Sequence, residues 1–89
     1  MGVTTDIKAQ CRLRTGGVHD IRVLDISEAG CMINRKMLRL EDQERVLIKL
    51  PDLAYQGATV LWVDDDQAGL AFEQPLYSAV LSHLRRAAA

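Results

Sequence analysis

From Ile7 to Arg14 the chain alternates without a break. Ile7, Ala9, Cys11 and Leu13 are apolar, and Lys8, Gln10, Arg12 and Arg14 are polar. A period of two sends all the apolar side chains to one face, so the segment predicts a strand with one face buried and one in water. Such a strand needs cover, and the rest of the chain supplies more of the same kind. Thr15-Gly16-Gly17 is a hairpin turn in which glycine takes a positive φ without a clash. Val18 to Ile26 reads as the return strand. Its alternation slips at Leu24, because Val23, Leu24 and Ile26 cannot all share a face, which predicts a bulge or the end of regular pairing before Ser27. Gly30 to Ile33 is a short third strand. Asn34 to Asp42 is a charged, irregular connection with room for one helical turn.

Glu44 to Leu50 is a fourth strand, stopped by Pro51-Asp52. Tyr55 to Val63 is a fifth, with a bulge expected at Gly57. Asp64-Asp65-Asp66-Gln67 is a tight polar turn, and Ala68 to Glu73 is a sixth strand. Beyond Pro75 the period changes. Leu76, Val80 and Leu84, with Tyr77 and Leu81, fall at helical spacing. Proline suits the first turn of that helix, and Arg85 and Arg86 suit its last, where they complement the dipole. The expected fold is all-β: a six-stranded antiparallel barrel, which leaves no exposed edges, with a C-terminal α-helix capping one mouth. A chain of 89 residues fits a single domain, 1–89, with its core over about 7–86.

Composition narrows the function. Net charge is −1 and the isoelectric point about 6.0, without the basic surplus that phosphate-backbone binding needs, although Arg12, Arg14, Arg22, Arg35 and Arg39 all fall in the first half. Nucleic acid is therefore a poor partner. No apolar run approaches the ~20 residues of a membrane span, and MGVTTD lacks a signal peptide's basic start and apolar stretch, which points to the cytoplasm. Cys11 and Cys31 match no zinc or CxxC spacing and read as buried small hydrophobes. Asp64 to Asp66 lack the spaced ligands of a calcium loop. His19 and His83 stand alone, and Trp62 fits the core or a barrel mouth. With no nucleophile elbow and no acid–base pair, neither an enzyme, a cofactor nor a metal is expected.

One stretch is left over. Asp25-Ile26-Ser27-Glu28-Ala29-Gly30 places an acid, a hydroxyl and a glycine between the second and third strands. Read locally, Asp and Ser side chains close turns by bonding nearby backbone N–H groups, and glycine supplies a permissive φ. The spacing also resembles the (D/N)xSxxG signature of PilZ domains. Val60-Leu61-Trp62-Val63 is similar to that family's late strand, and Gly69-Leu70-Ala71-Phe72 to its GxxF strand. The resemblance covers about residues 7 to 86 and implies a six-stranded barrel serving as a receptor for the bacterial second messenger cyclic di-GMP. In that reading Asp25 accepts from a guanine N–H edge, Ser27 donates or accepts, and Gly30 lets a base approach the backbone.

PilZ receptors also carry an RxxxR motif just before the first strand, whose arginines grip phosphate and guanine. MGVTTD has none, and the one literal match, Arg35 to Arg39, lies after the serine motif. Arg12 and Arg14, roughly 7 Å apart on one strand face, are imperfect substitutes. Two functions follow from the resemblance: a signalling module whose nucleotide binding is weak or lost, or a degenerate adaptor that keeps the barrel and acts through a protein partner.

Overall fold

The computed structural model describes residues 3–35 and 38–88. The opening alternation is kept in space, with Ile7, Ala9 and Cys11 buried and Lys8, Gln10 and Arg12 exposed. Six strands and one helix follow in chain order: β1 (Val3–Arg12), β2 (Val18–Ile26), β3 (Gly30–Asn34), β4 (Arg45–Lys49), β5 (Tyr55–Val63), β6 (Gln67–Phe72) and α1 (Ser78–Ala88). All neighbouring strands are antiparallel, and they close in the order β1-β2-β3-β6-β5-β4. The interior is a single apolar cluster that includes Val23, Ile33, Val46, Ile48 and Val60. Both cysteines are free and buried within it, as expected.

Several boundaries depart from the sequence reading. β1 starts at Val3 and ends at Arg12. Leu13 leaves the strand because its N–H donates to the Gly17 carbonyl at 2.8 Å and its carbonyl accepts from Gly16 N–H at 2.8 Å. Gly16 takes φ +99° there, a region side chains avoid. The bulge expected near Leu24 is present: the β2–β3 register shifts between Val23 and Asp25. The one expected at Gly57 is not, since Leu47 pairs with Gly57 in an unbroken ladder. The irregularity in β5 falls instead between Val60 and Trp62. The ends of the Glu73 and Arg45 side chains lie over Gly57. Arg45 holds the Glu73 carboxylate through two guanidinium N–H groups, and this hydrogen bonding keeps the Glu73 carboxyl below its ordinary pKa.

The two ends of the barrel are plugged differently. At the end holding the β1–β2 and β5–β6 turns, the β3–β4 connection inserts Leu38 and Leu40 into the core. Lys36 and Met37 lie outside the described residues, so the Arg35–Arg39 match is described only in part. Arg35 bonds the carbonyls of Asp64 and Leu38, which ties this connection down. At the other end lie the β2–β3 turn and the helix, whose Leu81 and Leu84 are buried in the core. Helix α1 begins at Ser78, so Pro75 precedes it rather than forming its first turn. The residues between are held elsewhere: Leu76 N–H donates to the Glu28 carbonyl at 2.8 Å. Tyr77, expected on the apolar stripe, is 82% exposed. Arg85 and Arg86 occupy the last turn, as expected.

Candidate functional site

The β2–β3 turn is closed by its own residues. Ser27 N–H donates to the Gly30 carbonyl at 2.9 Å, and the Ser27 hydroxyl leans on the same oxygen at 3.4 Å. Phe72 N–H donates to Ala29 O at 2.9 Å, fastening the turn to the end of β6. Gly30 is required by close approach, because a Cβ there would collide with the Leu70 carbonyl of β6. Its φ lies outside the left-handed region, so the permissive-φ explanation does not apply. Two of the three motif residues therefore have complete structural reasons to be what they are.

Asp25 differs. Its Oδ1 is buried and has no hydrogen-bond partner. A buried acceptor without a donor costs about 1–3 kcal/mol, and more when charged, so an orphan of this kind calls for an explanation. The neighbours say what it faces. Asp25 stands opposite Met32 on β3, Met32 opposite Gly69 on β6, and Gly69 opposite Trp62 on β5. Opposed residues share a face, so this is one row running across four strands on the outside of the barrel. Gly69 leaves a gap in the row that the Trp62 indole covers, with Nε1 nearest to where a Cβ would stand. The row forms part of a groove of about 310 Å³ lined by Asp25, Ser27, Gly30, Met32, Leu61 and Trp62, among others. Trp62 is 41% exposed and Leu61 50%. Trp62 is thus a wall of this outer groove, neither core nor barrel mouth.

The structure brings Asp25, Ser27 and Gly30 together and leaves Arg12 and Arg14 apart. Arg12 is opposite Val18, about 20 Å along β2 from Asp25 at roughly 3.3 Å per residue. Arg12 and Arg14 border a separate cavity of about 280 Å³ with Gly16, Arg45 and Leu47. The reason is the hairpin itself, which carries the end of β1 away from the end of β2. Met32, Leu61, Trp62 and Gly69 are lining residues that sequence reasoning did not assign to the site. One signal for them was available: a tight turn at Asp64 to Gln67 places Trp62 opposite Gly69. The β3–β6 pairing that brings this couple beside Asp25 has no local signal.

Burial favours the neutral form of both thiols. Burial pushes the Cys31 thiol up to about 12, with a smaller contribution from Cys11. Burial pushes Cys11 up to about 11, assisted by the Glu44 charge. Asp64 to Asp66 are exposed, and Asp64 uses its Oδ1 to accept the Asp65 N–H at 2.9 Å. Among the described residues no group of three or more His, Cys, Asp or Glu is placed to hold a metal ion, and no helix is long and apolar enough to cross a membrane.

The barrel and the motif turn have a counterpart in known proteins. Residues 4–89 match the PilZ domain, and the chain belongs to the PilZ family. Among solved structures, an uncharacterized protein of Legionella superimposes with a TM-score of 0.55 at 11% identity, over 98% of this chain and 88% of that one. That likeness supports the fold alone. No curated protein matches the chain.

Proposed function

We propose that this PilZ domain is a cyclic di-GMP-responsive signalling module, and that the groove beside Asp25 takes one guanine of the ligand. The observation that carries the reading is the buried, unpartnered Asp25 Oδ1 at the edge of an apolar groove. A guanine offers N–H donors along one edge, which is what an orphaned carboxylate oxygen lacks. Its flat face suits a wall made of Trp62 and Met32, since base–aromatic stacking contributes about 1–3 kcal/mol. The Ser27 hydroxyl oxygen keeps acceptor capacity beyond its bond to Gly30, and can take a second base N–H. Gly30 holds the turn against β6. Arg12 and Arg14 are out of reach and have no part in this contact.

The module works in the cytoplasm by binding rather than catalysis, and passes its state to a protein partner. Trp62 is the single tryptophan, so its fluorescence reports directly on the groove. Titration with cyclic di-GMP should quench or shift that emission saturably, and should leave it unchanged in Asp25→Asn. Emission that is flat up to about a millimolar, the weak end of the affinity scale, overturns the reading. The half-exposed Leu61 and Trp62 favour one second reading: an adaptor that buries this apolar lip against a protein partner without nucleotide. A loss of partner binding in Trp62→Ala, with no response to nucleotide in the parent protein, would select it.

A further inference from the structure

Two bulges build the groove. Around the barrel, β2, β3, β6 and β5 carry the row Asp25, Met32, Gly69 and Trp62. In regular strands both end residues would face the core, because Asp25 is two residues from Val23 and Trp62 two from Val60, and both valines are buried. The register shifts between Val23 and Asp25 and between Val60 and Trp62 each absorb one extra residue, Leu24 and Leu61. Each shift turns the next residue outward. The inward pattern then resumes, with Ile26 opposite the buried Cys31 and Val63 opposite the buried Ala68. Bulges re-aim side chains beside functional sites in this way.

A re-aimed indole needs a place to lie, and Gly69 supplies it. The three atoms nearest to a Cβ at Gly69 all belong to the Trp62 ring: Nε1, Cε2 and Cδ1. Gly69 is buried although it stands on the outer wall, with the indole over it. Its φ lies outside the left-handed region, so backbone strain gives no reason for a glycine here. The obstacle also differs in kind from the one at Gly30. There a Cβ meets the Leu70 backbone, whereas here it meets a side chain that can swing away. An alanine in place of Gly69 therefore displaces the indole and leaves the strand ladder alone.

We propose that Gly69 is the positioning residue of the groove. It seats the Trp62 indole against the outer wall in the same row as Asp25, and so fixes the aromatic face on which a base stacks. This rests on the reading above, in which that groove takes a guanine. With the seat filled, the ring is pushed off the wall and out of line with the Asp25 carboxylate. Gly69 lies under the indole and acts through it.

A double-mutant cycle tests this on the parent, Gly69→Ala, Trp62→Ala and the double variant, with cyclic di-GMP binding measured by calorimetry. Loss of base–aromatic stacking should weaken binding about tenfold in Trp62→Ala, and about fivefold or more in Gly69→Ala. The double variant should bind no more weakly than Trp62→Ala alone, because no indole is left to seat. Losses that multiply overturn the proposal, as does a Trp62→Ala protein that binds like the parent. Without ligand, the tryptophan emission of Gly69→Ala should move to longer wavelength and be quenched faster by acrylamide, while its melting temperature stays near the parent's. Unchanged emission overturns the seat. So does a Gly69→Ala protein that fails to fold, since the obstacle would then be more than the indole. If the emission changes but Gly69→Ala binds like the parent, the positioning role falls and the guanine groove stands. A parent protein that binds no cyclic di-GMP overturns the reading of the groove, and this role with it.

Discussion

Asp64 and Asp25 stand at two of this barrel's hairpin turns, and the two turns use them in opposite ways. At Asp64 to Gln67 the acid closes the turn: Asp64 Oδ1 accepts the Asp65 N–H, and Asp64 N–H donates to Gln67 O at 2.8 Å. Its carbonyl is taken by Arg35. The acids of that turn are exposed, so no carboxylate there is buried without a donor. At Asp25 to Gly30 the serine closes the turn and the acid does not take part. Asp25 is left with a buried oxygen and no donor. Similar sequences, two acids or more between apolar strands, thus separate into a structural turn and a turn with an unspent group. That residue of unexplained chemistry is what points to a ligand.

The contrast breaks most severely at Gly30. Because the obstacle is the Leu70 backbone rather than a ligand, Gly30→Ala should destabilise the empty protein by about 1–3 kcal/mol, the range for overpacking. Urea unfolding measures it, and a fully stable Gly30→Ala would mean the glycine is kept for ligand approach alone. The two acids should then give opposite signs. Asp64→Ala removes a bond that closes its turn and should cost about 0.5–1 kcal/mol. Asp25→Asn removes the charge from a buried, unpaired oxygen, and should leave stability equal or raise it by about 1 kcal/mol.

Cys31 sharpens the same contrast with a smaller effect. It follows Gly30 and borders the groove, yet lies 7% exposed with its thiol pushed up to about 12. A groove confined to the outer wall predicts that Cys31 and Cys11 react with a thiol reagent far more slowly in the folded than in the unfolded protein at pH 8. A folded-state pKa above the unfolded value also means stability present at neutral pH and lost as pH rises. The loss should begin near the ordinary value of 9.0 and run through about 11 for Cys11. Fast labelling at pH 8 would show that the groove opens into the core.

Much of the barrel was legible because its signals are local. The Ile7 to Leu13 alternation, the Gly16 turn, the slip at Leu24 and the helical stripe through Leu81 and Leu84 depend on neighbours a few residues away. The misplacements share a cause. Gly57 reads as a bulge because glycine weakens strands, whereas the β4–β5 ladder runs through it unbroken and the irregularity of β5 falls between Val60 and Trp62. Pro75 fits a helix start, but Leu76 N–H donates to the Glu28 carbonyl of the β2–β3 turn, and the helix begins only at Ser78. The site divides in the same way. Asp25, Ser27 and Gly30 are contiguous and were visible. Trp62, Met32 and Gly69 join them only through the pairing of β3 with β6, a contact between distant parts of the chain. Arg12 and Arg14 were candidates because charge is readable in sequence, while the end of the barrel a residue occupies is not.

The central claim is that Asp25 is a ligand group rather than a turn residue. Calorimetric titration of the parent and of Asp25→Asn with cyclic di-GMP, with unfolding curves measured on the same samples, tests it most directly. The account predicts saturable heat in the parent, none in Asp25→Asn, and an Asp25→Asn protein at least as stable as the parent. Equal binding by the two proteins, or an Asp25→Asn protein that loses binding only because it has lost stability, would contradict it.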